Sequence, residues 1–248
     1  MRIGLVSFRI NGRNNFGKVA IVINLINSHS DLDMLIFPGW TLDSQESLNS
    51  VIQNNRNVKT QVFIETKEPK VGYILKHRRI IKGNLRQCFE NSADINQMGT
   101  RRGNILCFLD KLKQDRSFRI NNKTARLLIC GENNILRNIR IEQDSAEFRF
   151  RNDDGLNLLW RALYGETQIF INPAHTQMVR EREMRKRREY LSSGKRIYCF
   201  TTNKDRGSGN LAQQRTLQYL YYDGQPLVGE LRGVNENCIL RKFNVVID

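Results

Sequence analysis

Apolar residues in this chain recur with two periods. Short branched runs bounded by turn residues read as strands, and longer stretches with apolar positions three and four apart read as helices. The runs predict strands at Arg2–Arg9, Asp33–Thr41, Gln61–Glu65, Gly72–Ile81 and Asn104–Asp110. Later ones fall at Leu127–Ile129, Gln168–Asn172 and Ile197–Thr201, then Leu217–Tyr222, Pro226–Glu230 and Cys238–Ile247. Helical spacing covers Phe16–Asn27, a segment from Asp43 or Ser44 to Gln53, Leu156–Tyr164 and the charged stretch Gln177–Ser193. Lys82–Gly103 reads as a long polar loop of the kind found beside functional sites, and Asn138–Asp154 carries no periodic face. Pro173 is expected to cut off its strand, and Asp223-Gly224 to form a hairpin turn. Strands and helices alternate early and antiparallel strands collect late, which predicts one α/β domain over residues 1–248.

Composition narrows this picture. Hydrophobic residues make up 40% of the chain, enough for a sizeable core, and no apolar run is long enough for a membrane-spanning helix. Met1–Phe8 begins a strand at once, so no secretory leader is expected. Five cysteines (Cys88, Cys107, Cys130, Cys199, Cys238) are odd in number and lack CxxC spacing, which fits reduced thiols in a cytoplasmic setting. The net charge of +15 points to an anionic partner: nucleic acid, an acidic protein or a phosphate-bearing ligand. A surface kept monodisperse by like charge accounts for it equally simply.

Candidate chemistry centres on Thr124–Leu136, TARLLICGENNIL. Leu127, Leu128 and Ile129 fit a strand buried on both faces, and the Gly131–Asn134 cluster reads as a sharp turn. Cys130 would then project from the carboxyl edge of a sheet, where open α/β folds bind ligands. A small apolar core residue is the alternative for such a thiol. In the charged helix, Arg180, Arg187 and Arg188 form a candidate phosphate-contact surface, against a solvated helix laced with pairs such as Glu181 with Arg185. His29, His77 and His175 show no metal-ligand spacing, so no metal and no cofactor is assigned; His175 is a candidate pocket-lining residue or a hydrogen-bonded structural one. Gly207-Ser208-Gly209 lacks the lysine and spacing of a phosphate loop.

The order of these pieces resembles the nitrilase superfamily of carbon–nitrogen hydrolases along nearly the whole chain. RIGLVSF resembles that family's first strand, DMLIFPGW its second, LLICGENN its nucleophile motif, FINPAH the strand and loop after the next helix, and LQYLYYDGQPL its late hairpin. The resemblance implies a four-layer α-β-β-α sandwich that assembles as a homodimer or with another chain. It also implies a cysteine nucleophile, a glutamate base and a lysine that holds the oxyanion. By position Cys130 is the nucleophile, Gly131 offers its N–H, and Glu132 orders the pocket. The family's second strand ends in phenylalanine-proline-glutamate, whereas this chain has Gly39 then Trp40, so the base is replaced. Arg86 or Gln87 stands at the lysine position, with Lys82 a few residues early. Glu65 or Asp43 could supply a base from a neighbouring strand end. Two readings follow: a degenerate member serving as a basic partner- or nucleic-acid-associated subunit, or a thiol amidase or acyltransferase with a relocated base.

Overall fold

The computed structural model describes residues 1–10, 17–99, 102–139, 144–175, 181–204, 211 and 215–246. The first half builds β1 (Arg2–Phe8), α1 (Lys18–Ser28), β2 (Met34–Ile36), α2 (Gln45–Asn54), β3 (Gln61–Thr66), β4 (Val71–Lys76) and β5 (Arg79–Leu85). It continues with α3 (Ser92–Gly99), α4 (Arg102–Lys113), β6 (Ser117–Ile120) and β7 (Lys123–Leu127), then a 3-10 turn at Cys130–Ile135. The second half adds β8 (Leu136–Ile139), β9 (Ser145–Phe148), α5 (Asp154–Glu166), β10 (Ile169–Ala174) and α6 (Glu181–Ser192). It closes with β11 (Ile197–Thr202), β12 (Gln218–Tyr222), β13 (Gln225–Pro226), β14 (Glu230–Asn235) and β15 (Cys238–Asn244).

Two mixed sheets carry the architecture, in the orders β14-β15-β1-β2-β3-β4-β5 and β13-β12-β11-β10-β7-β6. Three apolar cores separate four layers. Ile3, Ile36 and Phe63 of the first sheet meet Leu127, Ile171 and Cys199 of the second. Val6, Leu35 and Val62 on the first sheet's outer face pack under α1 and α2 through Leu25 and Leu48. Leu128, Phe170 and Tyr198 on the second sheet's outer face pack against α4, α5 and α6 through Phe108, Trp160 and Leu191. Alternation at period two makes this possible: Leu127 and Ile129 face the inner core, while Leu128 between them faces the helices. The result is the expected α-β-β-α sandwich.

Several local expectations are corrected. Asn104–Asp110 is helical, because Ile105, Phe108, Leu109 and Leu112 fall on one buried face at helical spacing. The polar stretch from Lys82 is the end of β5 followed by α3, whose first turn is capped as the Asn91 side-chain oxygen accepts from the Ala93 and Asp94 N–H groups. Gly72–Ile81 is a hairpin, broken at His77 and Arg78, which both adopt positive φ. The unassigned run after Asn138 contains the short β8–β9 ladder. Pro173 sits within β10 opposite Thr201, so that strand runs on to Ala174. Two expectations hold closely: Ser44 caps α2 through its side chain, and Asp223 and Gly224 both take the positive φ of a tight hairpin. Gly207-Ser208-Gly209 and Arg180 lie outside the described residues.

Candidate active site

The site lies where the carboxyl ends of parallel strands from both sheets coincide. β1, β2 and β3 run parallel in the first sheet, and β7, β10 and β11 in the second. Ser7 Oγ and Thr201 Oγ1, 3.2 Å apart, join the two sheets near this end. Gly39 and Trp40 follow β2, Glu65 ends β3, Cys130 follows β7 and His175 follows β10.

Cys130 occupies a sharp elbow. Its φ of +48° is in the left-handed region, costly for a residue with a side chain, and it begins the 3-10 turn directly after extended backbone at Ile129. Strand, strained residue and helical turn together form a sharp elbow, closed by the Glu132 N–H donating to the Ile129 carbonyl at 3.1 Å. Asn172 holds the elbow from below, its amide donating to the carbonyls of Leu128 (2.7 Å) and Cys130 (2.9 Å). Gly131 is required here, because a Cβ would stand 1.6 Å from the Glu90 carbonyl oxygen.

Cys130 interacts with His175, whose Nε2 hydrogen-bonds Glu65 Oε2 at 2.9 Å. The same carboxylate oxygen accepts the Trp40 N–H at 3.0 Å. Burial alone would lower the imidazole pKa, but the bonds to Cys130 and Glu65 and the Glu65 charge outweigh it and raise the value to about 9. Trp40, itself at φ +53°, stacks its indole on the imidazole with centroids 4.2 Å apart. Lys18, whose pKa burial brings down to about 8, donates to the Trp40 carbonyl at 3.3 Å.

Gly39 explains how this histidine fits. A Cβ at position 39 would lie 2.0 Å from His175 Cδ2 and 2.8 Å from Glu65 Oε2, so the imidazole takes the volume a side chain there would need. The contact is pinned on both sides. Gly39 N–H donates to the Ala174 carbonyl (3.0 Å), and Asn203 donates to the carbonyls of Gly39 (2.8 Å) and His175 (3.3 Å).

Glu132 has a different setting. It is fully buried, paired with the buried Arg116, and accepts the N–H groups of Cys88 (2.5 Å) and Ile129 (2.8 Å). Arg116 also donates to the Arg86 carbonyl and to Cys88 Sγ. Glu132 therefore orders the loop that crosses the elbow. A cleft of about 920 Å³ opens over Glu65 and His175, with Lys70, Arg86, Cys88 and Glu90 among its walls. Arg86 is exposed there and bonded through Nε to Asn84, while the Lys82 ammonium is tied to the Gln114 carbonyl. Among the described residues, no group of three His, Cys, Asp or Glu side chains is placed to hold a metal ion.

Two of the three arginines expected on an outward contact surface, Arg187 and Arg188, turn inward. Arg188 is 1% exposed, paired with Glu181 at 2.5 Å and lying over the Tyr219 ring at 3.8 Å. Arg187 is also buried and donates to Asn134 and Asn138. Surface pairing on α6 runs instead from Arg185 and Lys186 to Glu189. Sequence reading brought Cys130, Trp40, Gly39 and His175 near one another and named Glu65 as a possible base. It missed Asn172, Asn203 and the direct His175–Glu65 bond, for which the asparagines after two strands were the only signal.

No protein-family model matches the sequence, and no curated protein does so either. Solved structures do. The NitN amidase from Nesterenkonia sp. AN1 matches with a TM-score of 0.55 at 9% identity, over 99% of this chain and 93% of that one. A variant of the same amidase, described as from the nitrilase superfamily, matches at 0.53 with 10% identity, over 98% and 90%. A glutamine-dependent NAD(+) synthetase from Cytophaga hutchinsonii matches at 0.56 with 10% identity, over 98% of this chain but 42% of that longer one. Identities this low speak for architecture alone, and on that basis the chain has the carbon–nitrogen hydrolase fold of the nitrilase superfamily.

Proposed function

We propose that this protein is a thiol-dependent amidase or acyltransferase in which Cys130, His175 and Glu65 form the catalytic triad. One observation carries the reading: a single imidazole bonds a buried carboxylate and interacts with the Cys130 thiol, in the volume that a side chain at position 39 would need. The relocated base is thus a histidine, with Glu65 as its orienting partner.

The chemistry follows from the groups present. The proton that leaves Cys130 resides on His175, which holds it at neutral pH, giving a thiolate beside an imidazolium. The thiolate attacks an amide carbon, and the oxygen that becomes negative is received by the Gly131 N–H at the start of the turn. Lys70 and Arg86 supply positive charge in the cleft over Glu65 and His175. The imidazolium then protonates the departing amine as the tetrahedral intermediate collapses to a thioester. Water or an amine acceptor, deprotonated by His175, attacks the thioester and restores the thiol. Glu65 keeps Nε2 engaged and stabilises the positive ring at each of these steps.

The test is covalent labelling by fluoroacetamide, whose acetamide moiety adds to the active-site cysteine in a mutant of the Nesterenkonia amidase. In intact-protein mass spectrometry, wild type should gain one acetamide group at neutral pH while Cys130→Ala gains none. Labelling of wild type no faster than of His175→Asn would remove the triad and leave a fold that serves as a binding subunit.

A further inference from the structure

A second cleft, of about 630 Å³, lies between the β8–β9 hairpin, the N-terminal half of α6 and the start of α3. Four arginines, Arg137, Arg149, Arg182 and Arg187, line it against two carboxylates, Asp144 and Glu183. The carboxylates do not balance the arginines. Asp144 is matched by Lys186 at 3.2 Å, with Arg182 farther off at 3.9 Å. Arg149 donates to three neutral acceptors, the carbonyls of Asn134 (2.8 Å) and Leu136 (3.3 Å) and the Asn96 side chain (3.3 Å). It has no carboxylate partner among the described residues. Burial, and then the charge of Arg137, lower the Arg149 pKa, as expected of a cation short of a counter-ion.

The shape and chemistry of the cleft narrow the ligand. Arg137 keeps its Nε on Glu147 at 2.7 Å, and its side chain is 38% exposed; that of Arg182 is 81% exposed. Planar guanidinium forks suit phosphate oxygens, and a space of this size holds more than one phosphate. Among the described residues that line it, there is no aromatic ring on which a base could stack. A net charge of +15 would draw a long anion towards such a surface. We propose that this cleft binds the phosphodiester backbone of a nucleic-acid strand without reading its bases. The proposal is independent of the thiol chemistry.

Binding of a fluorescein-labelled oligothymidylate to the full chain, followed by fluorescence anisotropy from about 50 to about 200 mM salt, tests it. Wild type should lose affinity steeply with salt. Arg137→Gln/Arg182→Gln, both altered at exposed side chains, should bind at least about tenfold more weakly, with the salt slope reduced by about 0.7 for each lost contact. Arg149→Lys should retain more affinity than Arg149→Gln, with thermal midpoints compared to show that both fold. Unchanged affinity and slope in the double variant overturn the proposal. So does displacement of the strand by polyglutamate as readily as by unlabelled oligothymidylate, since the cleft would then favour an acidic protein face. Cys130→Ala should bind as wild type does, which separates failure here from failure of the triad.

Discussion

Two buried carboxylates flank the Cys130 elbow, and their partners set what each can do. Glu132 is paired with Arg116, a guanidinium that stays charged at any working pH, and its remaining bonds go to backbone N–H groups. That arrangement fixes a loop and exchanges no proton. Glu65 is paired with His175, whose proton can leave, and that imidazole reaches the reactive thiol. Near-equal burial and equal side-chain chemistry thus give one carboxylate that fixes a loop and one that orients a titratable imidazole.

The comparison can be broken at several points. Cys130→Ala should abolish fluoroacetamide labelling and any amide turnover while leaving the thermal midpoint close to wild type. His175→Asn should slow both by about 10²–10⁴-fold, the usual cost of a lost general base, and Glu65→Gln by less, as measured by labelling kinetics. Glu132→Gln should act on the fold, leaving Arg116 as an uncompensated buried charge at a cost of about 3–5 kcal/mol in denaturant unfolding. Gly39→Ala should force His175 aside, costing about 1–3 kcal/mol by overpacking, with a slower labelling rate as the diagnostic sign.

The smallest effect is on pH dependence. His175 titrates at about 9 in the fold against about 6.5 for a free imidazole, so the folded state binds its proton more tightly. Its stabilising contribution is complete below about pH 6.5 and is lost as pH rises through about 9. The difference in thermal midpoint between wild type and His175→Asn should therefore shrink across that window.

Much of the sandwich was legible because its strands have uneven composition. The run Leu127-Leu128-Ile129 faces two cores at once, and only a strand covered on both sides keeps every position apolar. The Asn104–Asp110 segment misled because its apolar residues are dense enough to satisfy either period over seven positions; the longer window through Leu112 fixes the helix. Glu65 and His175 were visible as residues but not as a pair. They are 110 positions apart, and the contact depends on two strand ends meeting across different sheets. The arginines of α6 were misplaced because charge alone does not show which face of a helix is covered. Arg188 is accommodated inside by Glu181 and by the rings of Tyr219 and Phe200.

The missing side chain at position 39 also bears on how such a site can change over generations. A glutamate there, as the family motif has it, and the imidazole of His175 in its present position exclude each other, since even one carbon at position 39 would stand 2.0 Å from the ring. Neither substitution alone restores the other arrangement: Gly39→Glu collides with the histidine, and loss of the histidine leaves no base. In the proposed triad the two positions therefore change together or pass through a chain with a thiol and no base, and the arrangement has no working single-step neighbour.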